Sequence, residues 1–260
     1  MKFDAAIFDW AGTMIDFGSF APMGVFVEAF AKFGVEATID EARGPMGSPK
    51  RAHIQAMMAM PSIRGQWEGK HGRAPTEADV DAVYEIFVPM NEAVAPKYAT
   101  LVPGAKATLD ALAAKGIRVG STTGYVRSIM AGVIPVAAEQ GFSPECIVCA
   151  DDVAGGRPGP EQMFRAFEQM SLNPGSKVLK VDDTEPGIAE GVAVGAVTVG
   201  VALSGNIAGL TPEDLAALPT AEVDAIRAKA AGILRGAGAD HVIDTVADLP
   251  ALIEKLEAEG

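Results

Sequence analysis

Carboxylates and small hydroxyls stand at the ends of several short apolar runs in this chain. Asp9 follows Ala5-Ala6-Ile7-Phe8, and Thr122-Thr123-Gly124 closes the run that begins at Ile117. Asp151 and Asp152 follow Ile147–Ala150, and Asp182 and Asp183 follow Val178–Val181. A lone aspartate after a strand most often caps the next helix. The set reads differently, because a sheet brings the ends of its strands together. Two aspartates, a Thr-Gly turn and an Arg-Pro loop (Arg157-Pro158) around one point would suit a divalent hard cation and a phosphoryl group.

The elements that must position these residues alternate. Strands are expected at Ala5–Phe8, Ile117–Thr122, Ile147–Ala150, Val178–Val181, Val197–Val201 and His241–Ile243. Helices are expected between them, for example over Ala105–Lys115, Val126–Gln140, Pro160–Met170 and Pro186–Val194. Such alternation implies an α/β fold, a parallel sheet with helices on both faces. Residues 20–98 break the pattern: Val25–Phe33, Ala52–Met60 and Ala78–Ala95 carry helical spacing, and no strand is evident. The expected organisation is a core of residues 1–19 and 99–260 with an inserted all-helical cap, 20–98. Ligands in open α/β sheets bind outside the carboxyl ends of the strands. A cap there would close over them and exclude water.

Composition narrows the function classes. The 260 residues are 49% hydrophobic and 21% charged, with a formal net charge of −13. That excludes disorder as the main state. It also disfavours nucleic acid as a partner, and an anionic substrate would need locally gathered cations or a metal. No run is apolar enough for a membrane span, the start (Met1-Lys2-Phe3-Asp4) does not read as a signal peptide, and a reducing cytoplasm is the expected compartment. The two cysteines, Cys146 and Cys149, have redox or zinc spacing, but they sit in a strand-like run without a second pair. They are read as buried structural thiols on opposite faces.

Phe8-Asp9-Trp10-Ala11-Gly12-Thr13 resembles the first motif of the haloacid dehalogenase superfamily. Gly44–Lys50, Gly120–Tyr125 and Gly156-Arg157-Pro158 extend the likeness over the whole chain, and together they resemble the phosphonatase family within it. The resemblance implies a Rossmann-like parallel core with a helical cap, and hydrolysis of phosphonoacetaldehyde to acetaldehyde and phosphate. It implies Asp9 as nucleophile and Lys50 as the amine that forms a Schiff base. Asp9, the Ala11 carbonyl and Asp183 would hold magnesium (Mg2+). Thr123, Gly124 and Arg157 would meet the phosphoryl group, and Met46, His53 and Tyr125 would line the site near Lys50. A homodimer through the cap is implied too, and apolar positions around Val25 and Phe30 would allow it.

Two departures from the superfamily pattern bear on chemistry. Ala11 stands where most phosphotransferases carry a second aspartate. Gly187 stands where many members carry an acid four residues after the one matching Asp183, so Asp182 or Glu185 would have to support the cation. The alanine fits C–P cleavage. An iminium made by a lysine amine accepts the electron pair of the breaking bond, and no proton need reach a leaving oxygen. Lys50 by itself reads as a solvated surface lysine; Ala11 reverses that reading. The alternatives are a phosphatase-like hydrolase of another small phosphonate and a non-catalytic metabolite-binding protein. A pure binder would not require Asp9 and Lys50 together.

Overall fold

Strand β1 (Ala5–Phe8) is fully buried and lies at the centre of a sheet, as its unbroken apolar run demands. The computed structural model, which describes residues 2–259, pairs β1 in parallel with β2 (Arg118–Thr122) on one side and β4 (Val178–Asp182) on the other. With β3 (Ile147–Val148), β5 (Val197–Val201) and β6 (His241–Ile243), the parallel sheet has the order β3-β2-β1-β4-β5-β6. The chain winds outward from β1 to β3, then returns to the far side of β1. The crevice of this topology therefore opens between the carboxyl ends of β1 and β4.

Alternate side chains of β1 serve opposite faces. Ala6 and Phe8 join the core formed with α6 (Ala105–Ala114), α7 (Arg127–Glu139) and α12 (Leu249–Glu259). Ala5 and Ile7 join Met163 and Ala166 of α8 (Glu161–Gln169). Helix α9 (Glu185–Ala193) packs against β4 and β5. Two more helices, α10 (Pro212–Ala217) and α11 (Thr220–Gly236), precede β6.

Residues 21–94 form five helices: α1 (Ala21–Ala31), α2 (Ile39–Arg43), α3 (Lys50–Ala59), α4 (Pro61–His71) and α5 (Glu77–Val94). No strand occurs between residues 20 and 98. Sequence reading had not anticipated α2 or α4. Helix α5 begins at Thr76, whose hydroxyl and backbone exchange hydrogen bonds with Asp79 in a capping box. Val25 and Phe30, expected to offer an apolar surface to a partner, are buried within the chain beside Phe26 and Phe87. Among the described residues, no helix is long and apolar enough to cross a membrane.

Strand β3 is shorter than expected, because the Cys149 amide donates to the Asp152 carboxylate at 2.8 Å and the backbone turns there. Cys146 and Cys149 are free and buried in the cores of opposite sheet faces. Burial pushes the Cys149 thiol up to about 12, far from a reactive thiolate.

Candidate active site

The loops after β1, β2 and β4 surround a small cavity of about 20 Å³ at the crevice. Asp9 and Ala11 reach it from β1, and Thr123, Gly124 and Tyr125 from β2. Arg157 comes from the loop before α8, while Met46 and Lys50 come from the helical segment. Eight of the ten residues expected at the site thus line one cavity. Asp183 lies just behind the wall, fully buried, and carboxylate oxygens of Asp9, Asp182 and Asp183 lie within 4.8 Å of one another. His53 is the other residue outside the lining: its ring stacks on Phe26 at 3.9 Å, with Nε2 2.8 Å from the Ala42 carbonyl. Burial and the nearby Lys50 keep its pKa well below the usual histidine value, so it is a neutral wall behind the cavity.

The helical segment is seated on the sheet edge. A Cβ on Gly47 would stand 2.2 Å from Thr184 Oγ1, and one on Gly124 3.1 Å from the Ser48 carbonyl. Loop 44–49 therefore touches both core loops and roofs one side of the cavity. Only a side-chain-free residue at position 47 permits that approach.

Arg157 is held from every side. Its Nη1 meets Asp9 Oδ1 at 2.8 Å, its Nε donates to Glu190 at 2.9 Å, and its Nη2 donates to the Thr122 carbonyl at 3.0 Å. Lys180 Nζ donates to Thr122 Oγ1 at 2.7 Å and contacts Asp182 at 3.1 Å and Glu190 at 3.2 Å. Sequence reading missed Lys180 and Glu190, both wholly buried. The signal was present: a lysine in the middle of Val-Leu-Lys-Val-Asp cannot be buried unpaired. Ser19 and Thr184, also unforeseen, line the cavity.

Of the two acids expected to stand in for Gly187, Glu185 is exposed and Asp182 is buried. A Cβ on Gly187 would lie 1.9 Å from Asp182 Oδ2, so the Asp182 carboxylate fills the volume that a side chain at 187 would need. Asp151 and Asp152 do not converge on the site. They stand exposed beyond edge strand β3 and engage Arg127 instead.

The electrostatics favour a cation. Burial pushes Asp9 up to about 6, helped by Asp182 and opposed by Arg157 and Lys180. Asp183 is raised well above the carboxylate range by burial and by Asp9 and Asp182. Asp182 goes the other way: burial raises it, but Arg157 and Lys180 outweigh that and hold it low. The carboxylates of Asp9, Asp182, Asp183 and Glu190 outnumber the cations Arg157 and Lys180 behind the cavity, and that crowding is why Asp9 and Asp183 hold their protons so readily. An all-oxygen donor set with that excess of carboxylates fits a hard divalent ion.

Lys50 opens α3 as its first residue, 3% exposed, with Nζ 3.7 Å from Met46 Sδ and 4.9 Å from the Tyr125 ring centre. Burial lowers its pKa to about 8, against the pull of Asp9 and with the help of Arg157. A helix N-terminus also disfavours a positive charge. The phenol of Tyr125, whose pKa burial drives well above 10, stays neutral beside it.

An open parallel sheet with an acid after β1, paired acids at the end of β4 and a buried arginine between them is the sheet and site of a hydrolase with an α/β fold. Residues 3–195 match the family model of haloacid dehalogenase-like hydrolases, and the chain belongs to that family. It is 51% identical over 254 residues to phosphonoacetaldehyde hydrolase of Paraburkholderia xenovorans, covering 98% of this chain and 95% of that one. It is 44% identical to the protein of that name from Klebsiella pneumoniae, covering 99% and 96%. The solved structure of a phosphonoacetaldehyde hydrolase-like protein from Oleispira antarctica superposes with a TM-score of 0.97 at 41% identity, over 100% of this chain and 94% of that one.

Proposed function

We propose that the protein hydrolyses phosphonoacetaldehyde to acetaldehyde and phosphate. The observation that carries the reading is one small cavity lined by both the Asp9 carboxylate and a buried lysine, Lys50, with Ala11 rather than an acid beside them. The relatives' names agree with it. Residues 20–98 act as the cap and deliver Lys50.

In this reading the neutral Lys50 amine adds to the aldehyde and loses water, giving an iminium. An Asp9 carboxylate oxygen attacks phosphorus as the C–P bond breaks, and the electron pair enters the new C=C bond of an enamine. Protonation of that carbon and addition of water release acetaldehyde and restore Lys50. A second water cleaves the aspartyl phosphate. Arg157, Thr123 and Gly124 hold the phosphoryl oxygens, and loop 44–49 shields one side of the cavity from bulk water. Asp9, Asp183 and the Ala11 carbonyl would hold magnesium, with Asp182 beside them. When bound, the ion offsets the repulsion between two aspartates and an anionic substrate. The test is direct: purified protein given phosphonoacetaldehyde should release acetaldehyde and phosphate in equal amounts. Phosphate without acetaldehyde, from another small phosphonate only, would replace this reading.

Two further results are expected. Chelation should abolish turnover and added magnesium should restore it; full activity in chelator, with no metal bound, would remove the ion from the reaction. Ala11→Asp should lower kcat/KM by about tenfold or more. A carboxylate on the cavity wall would favour the ammonium form of Lys50, and each pKa unit gained removes about nine-tenths of the free amine. A variant at the wild-type rate would show that alanine is not there to spare the amine.

A further inference from the structure

Asp183 is oriented by two donors, the Thr13 hydroxyl at 3.1 Å and the Asn206 backbone amide at 2.7 Å. Asn206 lies in the loop after β5, and that loop is gripped from outside the core. Arg43, the last residue of α2 in the helical segment, donates through Nη1 to Asn206 Oδ1 at 3.2 Å and to the Asn206 carbonyl at 3.3 Å. In return the Asn206 side-chain amide donates to the Arg43 carbonyl at 3.2 Å. The same Nη1 reaches the Gly18 carbonyl at 2.8 Å, in the stretch that leads from β1 to α1. The guanidinium also rests over the Phe20 ring, 5.1 Å from its centre. One half-buried arginine thus joins the helical segment, the connection into it, and the loop whose amide aims Asp183.

We propose that Arg43 is a positioning residue that, through Asn206, couples the seating of the helical segment to the orientation of the Asp183 carboxylate. The proposal rests on the reading of Asp183 as a magnesium ligand. The amide of Asn206 meets Asp183 only while its loop keeps this conformation, and Arg43 braces the loop only while α2 is seated. Metal binding and closure then favour each other by the same factor. Closure brings Lys50 and its loop onto the core, so the latch assembles amine and metal site together.

Two conservative variants test this without changing charge near the carboxylates. Asn206→Ala keeps the backbone amide but removes the side chain that Arg43 holds. Arg43→Lys keeps the charge but loses the planar fork. The measurement is the magnesium dissociation constant, by titration calorimetry without substrate, for wild type, each single variant and the double variant. Removing a partner that orients a metal ligand weakens binding on the order of tenfold. Each single variant should show that loss, and the double variant should be no worse than the weaker single, because both break one linkage. A general loss of stability would lower the melting temperature without producing this non-additivity. Wild-type affinity in Asn206→Ala and Arg43→Lys, or losses that multiply in the double variant, would overturn the latch while the reaction stands. A wild-type protein that turns over substrate but binds no magnesium would remove the metal reading and the latch with it.

Discussion

Asp9→Asn should leave the protein folded, no less stable without metal than the wild type, and nearly inactive. The amide matches the carboxylate in size but cannot attack phosphorus. Loss of a nucleophile in a concerted site costs about a thousandfold or more in kcat. The stability half of the expectation follows from the crowding of Asp9, Asp182 and Asp183. Asp9 has a folded pKa of about 6 against an ordinary 3.8, because burial and Asp182 outweigh Arg157. A raised carboxylate pKa means that the native state prefers the proton, so the ionised group opposes folding at every pH above that value. Asparagine removes that opposition, though it gives up the 2.8 Å ion pair with Arg157. The check is a thermal melt in chelator at pH 7 to 8 beside a phosphate-release assay. An active variant would assign the nucleophile elsewhere. A variant that melts well below wild type would show the Arg157 pair to be the stronger influence.

That site was legible in sequence to the extent that its chemistry sits at the ends of short buried strands. Asp9 and Asp183 could be placed because β1 and β4 read as apolar runs that stop at an acid. The same rule brought in Asp151 and Asp152, and there it failed for a topological reason. Strand β3 is an edge strand, two places from the crevice between β1 and β4, and its acids meet solvent and Arg127. Linear sequence does not state strand order, so the rule could not separate central from edge strands. Short helices were lost differently. The Thr38–Glu41 capping box announces α2, but five residues carry too little periodicity to register. Helix α4 contains Gly65 and Gly69, which weaken its helical signature. Lys180 and Glu190 were overlooked because each lies inside an element read for its apolar face. Glu190 depends on Arg157, 33 residues away, and Lys180 on Thr122, 58 residues away, partners brought in only by the fold.

Lys50 should be trapped as a covalent adduct, and Lys50→Arg should neither form one nor cleave the C–P bond. A lysine at its ordinary pKa near 10.4 offers about one free amine in a few thousand at pH 7. Burial brings Lys50 to about 8, so about a tenth is neutral at that pH. Sodium borohydride with acetaldehyde should reduce the imine to an ethyl group on Nζ, located by peptide mass mapping, with loss of activity. Only the uncharged amine attacks, so the trapping rate should rise about tenfold per pH unit below 8 and level off above it. Lys180 is the built-in control. It is also wholly buried, but its Nζ is tied to Thr122, Asp182 and Glu190 at 2.7 to 3.2 Å and it does not line the cavity. Arginine at position 50 stays protonated and cannot replace the amine. An adduct on any other lysine, or substantial acetaldehyde release by Lys50→Arg, would leave the fold and Asp9 in place and overturn the imine route. A pH profile that keeps climbing toward 10 would show that burial does not tune this amine.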